Sequence, residues 1–206
     1  MVFAVPATAD NIYNNGPING NTDGWTINFG EAVADSFTVS TGNSTINSLA
    51  FGAWLFPGDV LESVEVSMTS DAFGGTTYFD QSVNVTQSGC TANQYGYDVC
   101  IESGAFNGPT LPNGTYFLNL QNAVVNTGNP VFWDENSGVG CTSPGCPSVA
   151  ETNDCLASKG DYLGCIPSES FTLSGGGSAT TPEPSSIVLF GSGFFGVIGI
   201  LRRRLY

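Results

Sequence analysis

Two neighbouring acids, Asp134 and Glu135 in a Trp-Asp-Glu-Asn run, are the first candidates for chemistry. Paired carboxylates divide acid and base work in glycosidases, which set them about 5 to 9.5 Å apart across a sugar. Successive strand residues point to opposite faces, so this adjacent pair is badly placed to share one site. Solvated loop carboxylates are the plainer reading. The run NGNTDG at 19–24 alternates oxygen-bearing side chains in the manner of a calcium loop. An EF-hand loop needs a glutamate six residues after its glycine, but position 30 is Gly30 and Glu31 comes one place late. Asn21 and Asp23 remain weak candidates for calcium in a β-sandwich loop. The sequence asks for no other metal or cofactor. Because the chain has no histidine, a Ser-His-Asp triad, a His-ligated zinc and a His-ligated haem are all excluded.

Aromatic side chains offer a different chemistry, stacking on sugar rings. Trp54 lies in the apolar run INSLAFGAWLF and reads as core. Trp133, Tyr95 and Tyr97 adjoin polar loops and are the candidate glycan contacts. A Thr-x-Thr ice-binding array would need regular repeats, and Thr38/Ser40 and Thr172/Ser174 are isolated.

Six cysteines, Cys90, Cys100, Cys141, Cys146, Cys155 and Cys165, are spaced too widely for CxxC pairs and have no histidine beside them. Disulfides therefore fit better than zinc. Six cysteines allow about 15 pairings. Cys90 with Cys100 is the favoured one, across a TANQYGYDV connection. Sequential pairing, Cys141 with Cys146 and Cys155 with Cys165, is expected in the Gly/Ser/Pro-rich stretch 141–165.

The chain has 206 residues, 18 acids and four bases, for a net charge of -14. Binding to nucleic acid needs clustered Lys or Arg, and nearly all of this chain has none. Three of the four bases, Arg202, Arg203 and Arg204, are consecutive at the C-terminal end. Before them, residues 187–201 (IVLFGSGFFGVIGIL) carry no charge. As a helix this segment would be about 22 Å long. Arginine snorkelling and a start at Ser185 bring it nearer the roughly 30 Å hydrocarbon core. A single transmembrane helix with its arginines on the cytoplasmic side follows. Upstream stand Pro182, Glu183 and Pro184, then Ser185-Ser186.

A Pro-Glu-Pro triplet, an apolar helix and a terminal Arg cluster in this order resemble the PEP-CTERM sorting signal, over about residues 181–206. The resemblance implies export, transient anchoring in the inner membrane of a Gram-negative bacterium, and processing by an exosortase. Delivery to the cell surface or extracellular matrix would follow. The same tail has been labelled an ice-binding-protein C-terminal domain, a label that does not imply binding to ice. YNNGPINGNTDGW (13–25), AWLFPGD (53–59), NQYGYD (93–98), GTYFLNLQNAV (114–124) and WDENSG (133–138) resemble the N-terminal domains of other PEP-CTERM proteins. At the other end, Ala7-Thr8-Ala9 before Asp10 reads as a signal-peptide cleavage site. Residues 1–9 are then the remnant of a signal peptide, and the gene product is expected to begin about 15 to 20 residues earlier.

Something must position these residues, and the pattern between them is that of strands. Short alternating segments at 25–29, 35–39, 46–56, 60–69, 76–86, 95–101, 114–120, 130–133 and 169–173 are separated by Gly, Asn and Pro turns. In the fourth, Val60, Val64, Val66 and Met68 share a face on which Glu62 is a misfit; Leu61 is the misfit opposite. No helical period competes outside the tail. The expected fold is all-β, an antiparallel β-sandwich of jelly-roll kind spanning 10–174. A flexible linker at 175–181 would lead to the sorting signal at 182–206. The sequence thus points to a non-enzymatic surface or matrix protein. A carbohydrate-binding module for exopolysaccharide is the alternative, and an extracytoplasmic hydrolase a weaker one.

Overall fold

β-Branched and aromatic residues alternate here with Ser, Thr and Asn, a pattern that buries one face of an extended strand. A computed structural model describes residues 10–136, 150–152 and 168–175, which fold as fourteen strands. Among the described residues there is no helix. The expected signal-peptide remnant at 1–9, Cys141, Cys146, Cys155, Cys165, and 176–206 with the expected transmembrane helix and sorting motif lie outside the described residues.

All strand pairings are antiparallel. In the larger sheet β1 (Asp10–Asn14), β14 (Phe171–Gly175), β5 (Ser48–Leu55) and β9 (Asp98–Ala105) lie side by side, with β8 (Thr86–Ala92) beyond β9. β12 (Phe132–Asp134) also pairs with β5, at the Ala53–Trp54 end, and carries β2 (Gly24–Thr26) on its far side. The second sheet runs β13 (Ala150–Thr152), β3 (Ala32–Val39), β11 (Gly114–Val125), β6 (Leu61–Asp71), β7 (Gly74–Asn84). A small ribbon joins β4 (Ser44–Thr45) to β10 (Thr110–Leu111). Take β1, β3, β5, β6, β7, β9, β11 and β14 as the principal strands, in chain order. One sheet then runs first, eighth, third, sixth, and the other second, seventh, fourth, fifth.

One buried cluster draws on both sheets. Val33, Phe37, Val39, Leu118, Leu120, Val64, Val66 and Met68 come from the second; Leu49, Phe51, Ala53, Leu55, Phe171 and Leu173 come from the larger. Fully burying each such side chain is worth about 1.5–3 kcal/mol. This burial, together with the ladders, holds the sheets together.

Each of the nine expected segments overlaps a strand, but three details differ. β1 went unread because Ile12 and Tyr13 are adjacent large residues; the register slips between Asn11 and Tyr13, so simple alternation fails there. In β6 the two misfits come from another irregularity. Pairing with β11 steps from Gln121–Glu65 to Val124–Ser63 and then Val125–Leu61. That shift turns Leu61 inward and leaves Val60 45% exposed, reversing the expected roles of these two. The linker does not begin at 175. Gly175 pairs with Asp10 inside β14, and a Cβ there would collide with the Thr45 carbonyl.

Cys90 and Cys100 form the favoured disulfide, which ties edge strand β8 to β9. Closing a loop with a sequence separation of 10 is worth about 2.5 kcal/mol in the chain-entropy account. Cys90→Ser is therefore expected to lower the melting temperature by about 5–10 °C, read by calorimetry. An unchanged melting temperature would show that the ladder alone holds this edge.

A candidate ligand-binding face

β5 decides which tryptophan faces where. Leu49, Phe51, Ala53 and Leu55 belong to the core cluster, and Trp54 does not. Trp133 pairs with Ala53 and so turns inward with it. It is fully buried, packs edge-on against Phe51 and Phe171, and its Nε1 donates to the Ser170 carbonyl at 2.9 Å. Trp133 therefore cannot serve as the glycan contact that its polar neighbours suggested. Trp54 is buried, as expected, but it pairs with Phe132 and Val99 on the outer face of the sheet rather than joining the inter-sheet cluster. Tyr95 covers it, stacked at 5.5 Å and 19°, and Tyr97 packs at 5.9 Å. Tyr97 also meets Phe56 and Phe132 edge-on. Tyr95 is 53% exposed and presents its ring at the surface, while Tyr97 is half-buried.

Asp134 fastens this face. Its carboxylate accepts from Trp54 Nε1 at 2.6 Å, Asn19 N at 2.9 Å, Gly20 N at 2.9 Å and Ser170 Oγ at 3.0 Å. Burial pushes its pKa above the ordinary aspartate value, and these donors pull it back. The cluster fits against β5 because residue 52 is glycine. A Cβ there would meet Ser170 Oγ at 2.6 Å and Asp134 Cβ at 2.7 Å.

Glu135 lies opposite Glu169 and is buried, its Oε2 accepting from Trp25 Nε1 at 3.1 Å. Neither member of the acid pair is a solvated loop carboxylate, which corrects the plainer sequence reading. Asp35, also buried, accepts from Asn15 Nδ2 at 3.1 Å and Glu169 N at 2.6 Å. Glu169 is buried, and among the described residues neither of its carboxyl oxygens has a hydrogen-bond partner. Burial raises its pKa well above the usual glutamate value, and the charges of Asp35, Glu135, Asp134 and Asp23 add to the rise. Glu102 on β9 is buried with both oxygens unpartnered, and burial pushes its pKa to about 7. Sequence reading missed Asp35, Glu102 and Glu169. The available signal was parity, since Asp35 alternates in phase with Phe37 and Val39, and Glu169 with Phe171 and Leu173.

The expected calcium residues, Asn21 and Asp23, sit on an exposed turn. Asn19 Oδ1 accepts from Asn21 N at 2.8 Å, and Asp23 Oδ1 from Gly24 N at 2.9 Å. Among the described residues no group of three or more acids or cysteines is placed to hold a metal ion. Asn21 does approach Tyr95: the Tyr95 hydroxyl and Gln94 Nε2 both donate to its carbonyl at 3.4 Å. Between this turn, β8 and β9 lies a cavity of about 390 Å³ whose lining includes Asn19, Asn21, Thr91, Asn93 and Gln94.

Residues 180–204 match the model of the PEP-CTERM protein-sorting motif. The chain carries a PEP-CTERM sorting signal. That match takes in Pro182, Glu183, Pro184 and the arginines 202–204. A signal of this kind implies exosortase-dependent export and sorting. The PEP-CTERM match leaves the fourteen strands outside it. Among curated proteins no match to the chain was found.

Proposed function

We propose that this is a non-enzymatic protein of the bacterial cell surface or extracellular matrix, sorted and processed by exosortase through its C-terminal tail. The PEP-CTERM match at 180–204 carries the proposal. The precursor is held in the inner membrane by residues 187–201 with the arginines on the cytoplasmic side. The exported part is a jelly-roll β-sandwich, supported by the strand orders first-eighth-third-sixth and second-seventh-fourth-fifth. A hydrolytic role has less support. Asp134 is occupied by four donors, and Glu135 is buried against Trp25.

Replacing Arg202, Arg203 and Arg204 together by Ser tests the tail. The expected result is loss of processing in an exosortase-bearing host, seen as unprocessed precursor by intact-mass spectrometry. Normal processing of this variant would overturn the positive-inside account.

A second reading is favoured by the Tyr95 ring, exposed and stacked on Trp54. In this reading the surface protein holds exopolysaccharide, and Tyr95 and Tyr97, without Trp133, are its aromatic contacts.

A further inference from the structure

We infer that the cavity between the 18–21 turn, β8 and β9 is a binding site for an uncharged saccharide unit of a polysaccharide that also contacts exposed Tyr95, whose hydroxyl donates to the carbonyl of Asn21 on the cavity wall. This rests on the exopolysaccharide reading and deepens it by naming the site and the class of ligand.

The chemistry of the walls selects the ligand. Asn19, Asn21, Asn93 and Gln94 bring amide groups; Val99 and Ile101 bring apolar surface. Such a mixture suits a pyranose ring, which has hydroxyls at its edge and C–H groups on its faces. Among the described residues, no charged side chain lines the cavity. The first 182 residues carry 17 acids and one lysine, which repels uronate or sulfated sugars. A volume of about 390 Å³ lies within the usual range for small-ligand sites.

One group of a lining residue has no hydrogen-bond partner among the described residues. Asn93 Oδ1 accepts from Tyr95 N and Tyr97 N, each at 3.0 Å, which fixes the amide plane. Its Nδ2 is buried and has no hydrogen-bond acceptor. A buried donor without an acceptor is unfavourable; the wall closes over this nitrogen, and a small local shift would let a sugar hydroxyl in the cavity reach and relieve it. The walls are also fastened beforehand. Asp134 holds the backbone of Asn19 and Gly20, the Cys90–Cys100 bridge holds β8 to β9, and Trp54 backs the Tyr95 ring. Little ordering is left for the ligand to drive, which favours affinity.

The test uses the full chain in detergent against soluble neutral glucan, galactan and mannan, with alginate as the anionic probe. Calorimetry should show binding to at least one neutral polymer and none to alginate. Asn93→Asp keeps the Oδ1 acceptor and the shape of the side chain while deleting the donor. It should weaken binding about tenfold. Tyr95→Ala should weaken it by tenfold or more, and Tyr78→Ala, on exposed β7, should leave it unchanged. Near-UV circular dichroism checks that each variant is folded. Absence of binding to all three neutral polymers, equal binding to alginate, or wild-type affinity in Asn93→Asp would each overturn the site. Processing of the tail, followed in the same samples, reports separately on the sorting proposal. Polysaccharide binding that survives both Asn93→Asp and Tyr95→Ala would keep the exopolysaccharide reading and move it elsewhere on the protein.

Discussion

Asp134→Ala is expected to destabilise the protein by on the order of 4 kcal/mol. The substitution removes one carboxylate and strands four donors, those of Trp54, Asn19, Gly20 and Ser170. A buried group left unsatisfied costs about 1–3 kcal/mol, and the costs do not add in full because a freed turn can reach water. Trp54 Nε1 is the donor least able to escape, since Tyr95 and Tyr97 lie over its ring. Domains of ordinary stability have about 5–15 kcal/mol in hand, so this one change removes a large share. Equilibrium urea unfolding measures the loss. Near-UV circular dichroism should show Trp54 released from its packed setting. Asp134→Asn, which keeps the shape but turns an N–H₂ toward N–H donors, should fall between the two. A loss below about 1 kcal/mol in Asp134→Ala would refute the fastening role.

Stability is expected to fall as pH rises from about 4 towards neutral, through the contributions of Glu102 and Glu169. Both are buried with unpartnered carboxyl oxygens. Burial raises each pKa in the folded state, to about 7 for Glu102 and well above the usual value for Glu169. Glu169 also faces Asp35, Glu135, Asp134 and Asp23, whose charges resist its ionisation. Below about pH 4.3 both groups are neutral in the folded and the unfolded chain, and nothing is lost. Above it the unfolded chain releases protons that the folded one keeps. Each group then lowers stability by up to about 1.4 kcal/mol per pH unit, until its folded-state pKa is reached. For Glu102 that window closes near pH 7, after a loss of at most roughly 4 kcal/mol. Glu102→Leu and Glu169→Gln should each flatten the profile and stabilise the protein at pH 8. Urea midpoints across pH 4–8 give the result. A profile that rises with pH, or one that neither variant alters, would contradict this account.

Much of the fold could be read from alternation alone. Phe37 with Val39, and Val64, Val66 and Met68, were assigned to one face each, and all are buried together. Alternation failed where a register slip broke its period, at Asn11–Tyr13 and opposite Glu62. The candidate site was less legible. Local polarity assigned Trp133 to the surface, but β5 and β12 pair so that it lies between the sheets; Trp54 is buried as expected, though on the outer face beneath Tyr95 rather than in the inter-sheet cluster. A tryptophan's neighbours in sequence do not report its strand's phase relative to the other sheet. The buried acids escaped for a related reason, since parity with core residues marks a position as inward but does not show that a carboxylate there has no donor. Asn93 carried no signal at all, because its role depends on a turn that brings it back to Tyr95, Tyr97 and the cavity wall.

The sequence by itself determined the sorting signal and the all-β class, and it favoured the Cys90–Cys100 pair that the structure contains. Each is encoded in a contiguous or near-contiguous run: a triplet and an Arg cluster around an apolar segment, a two-residue period, and two cysteines about one hairpin apart. Tertiary structure alone decided what lies together on the outer face. Asn19, Trp54, Tyr95 and Asp134 come from four separate parts of the chain. Strand pairing sets their distances, and no spacing in the sequence can encode the phase in which two distant strands pair.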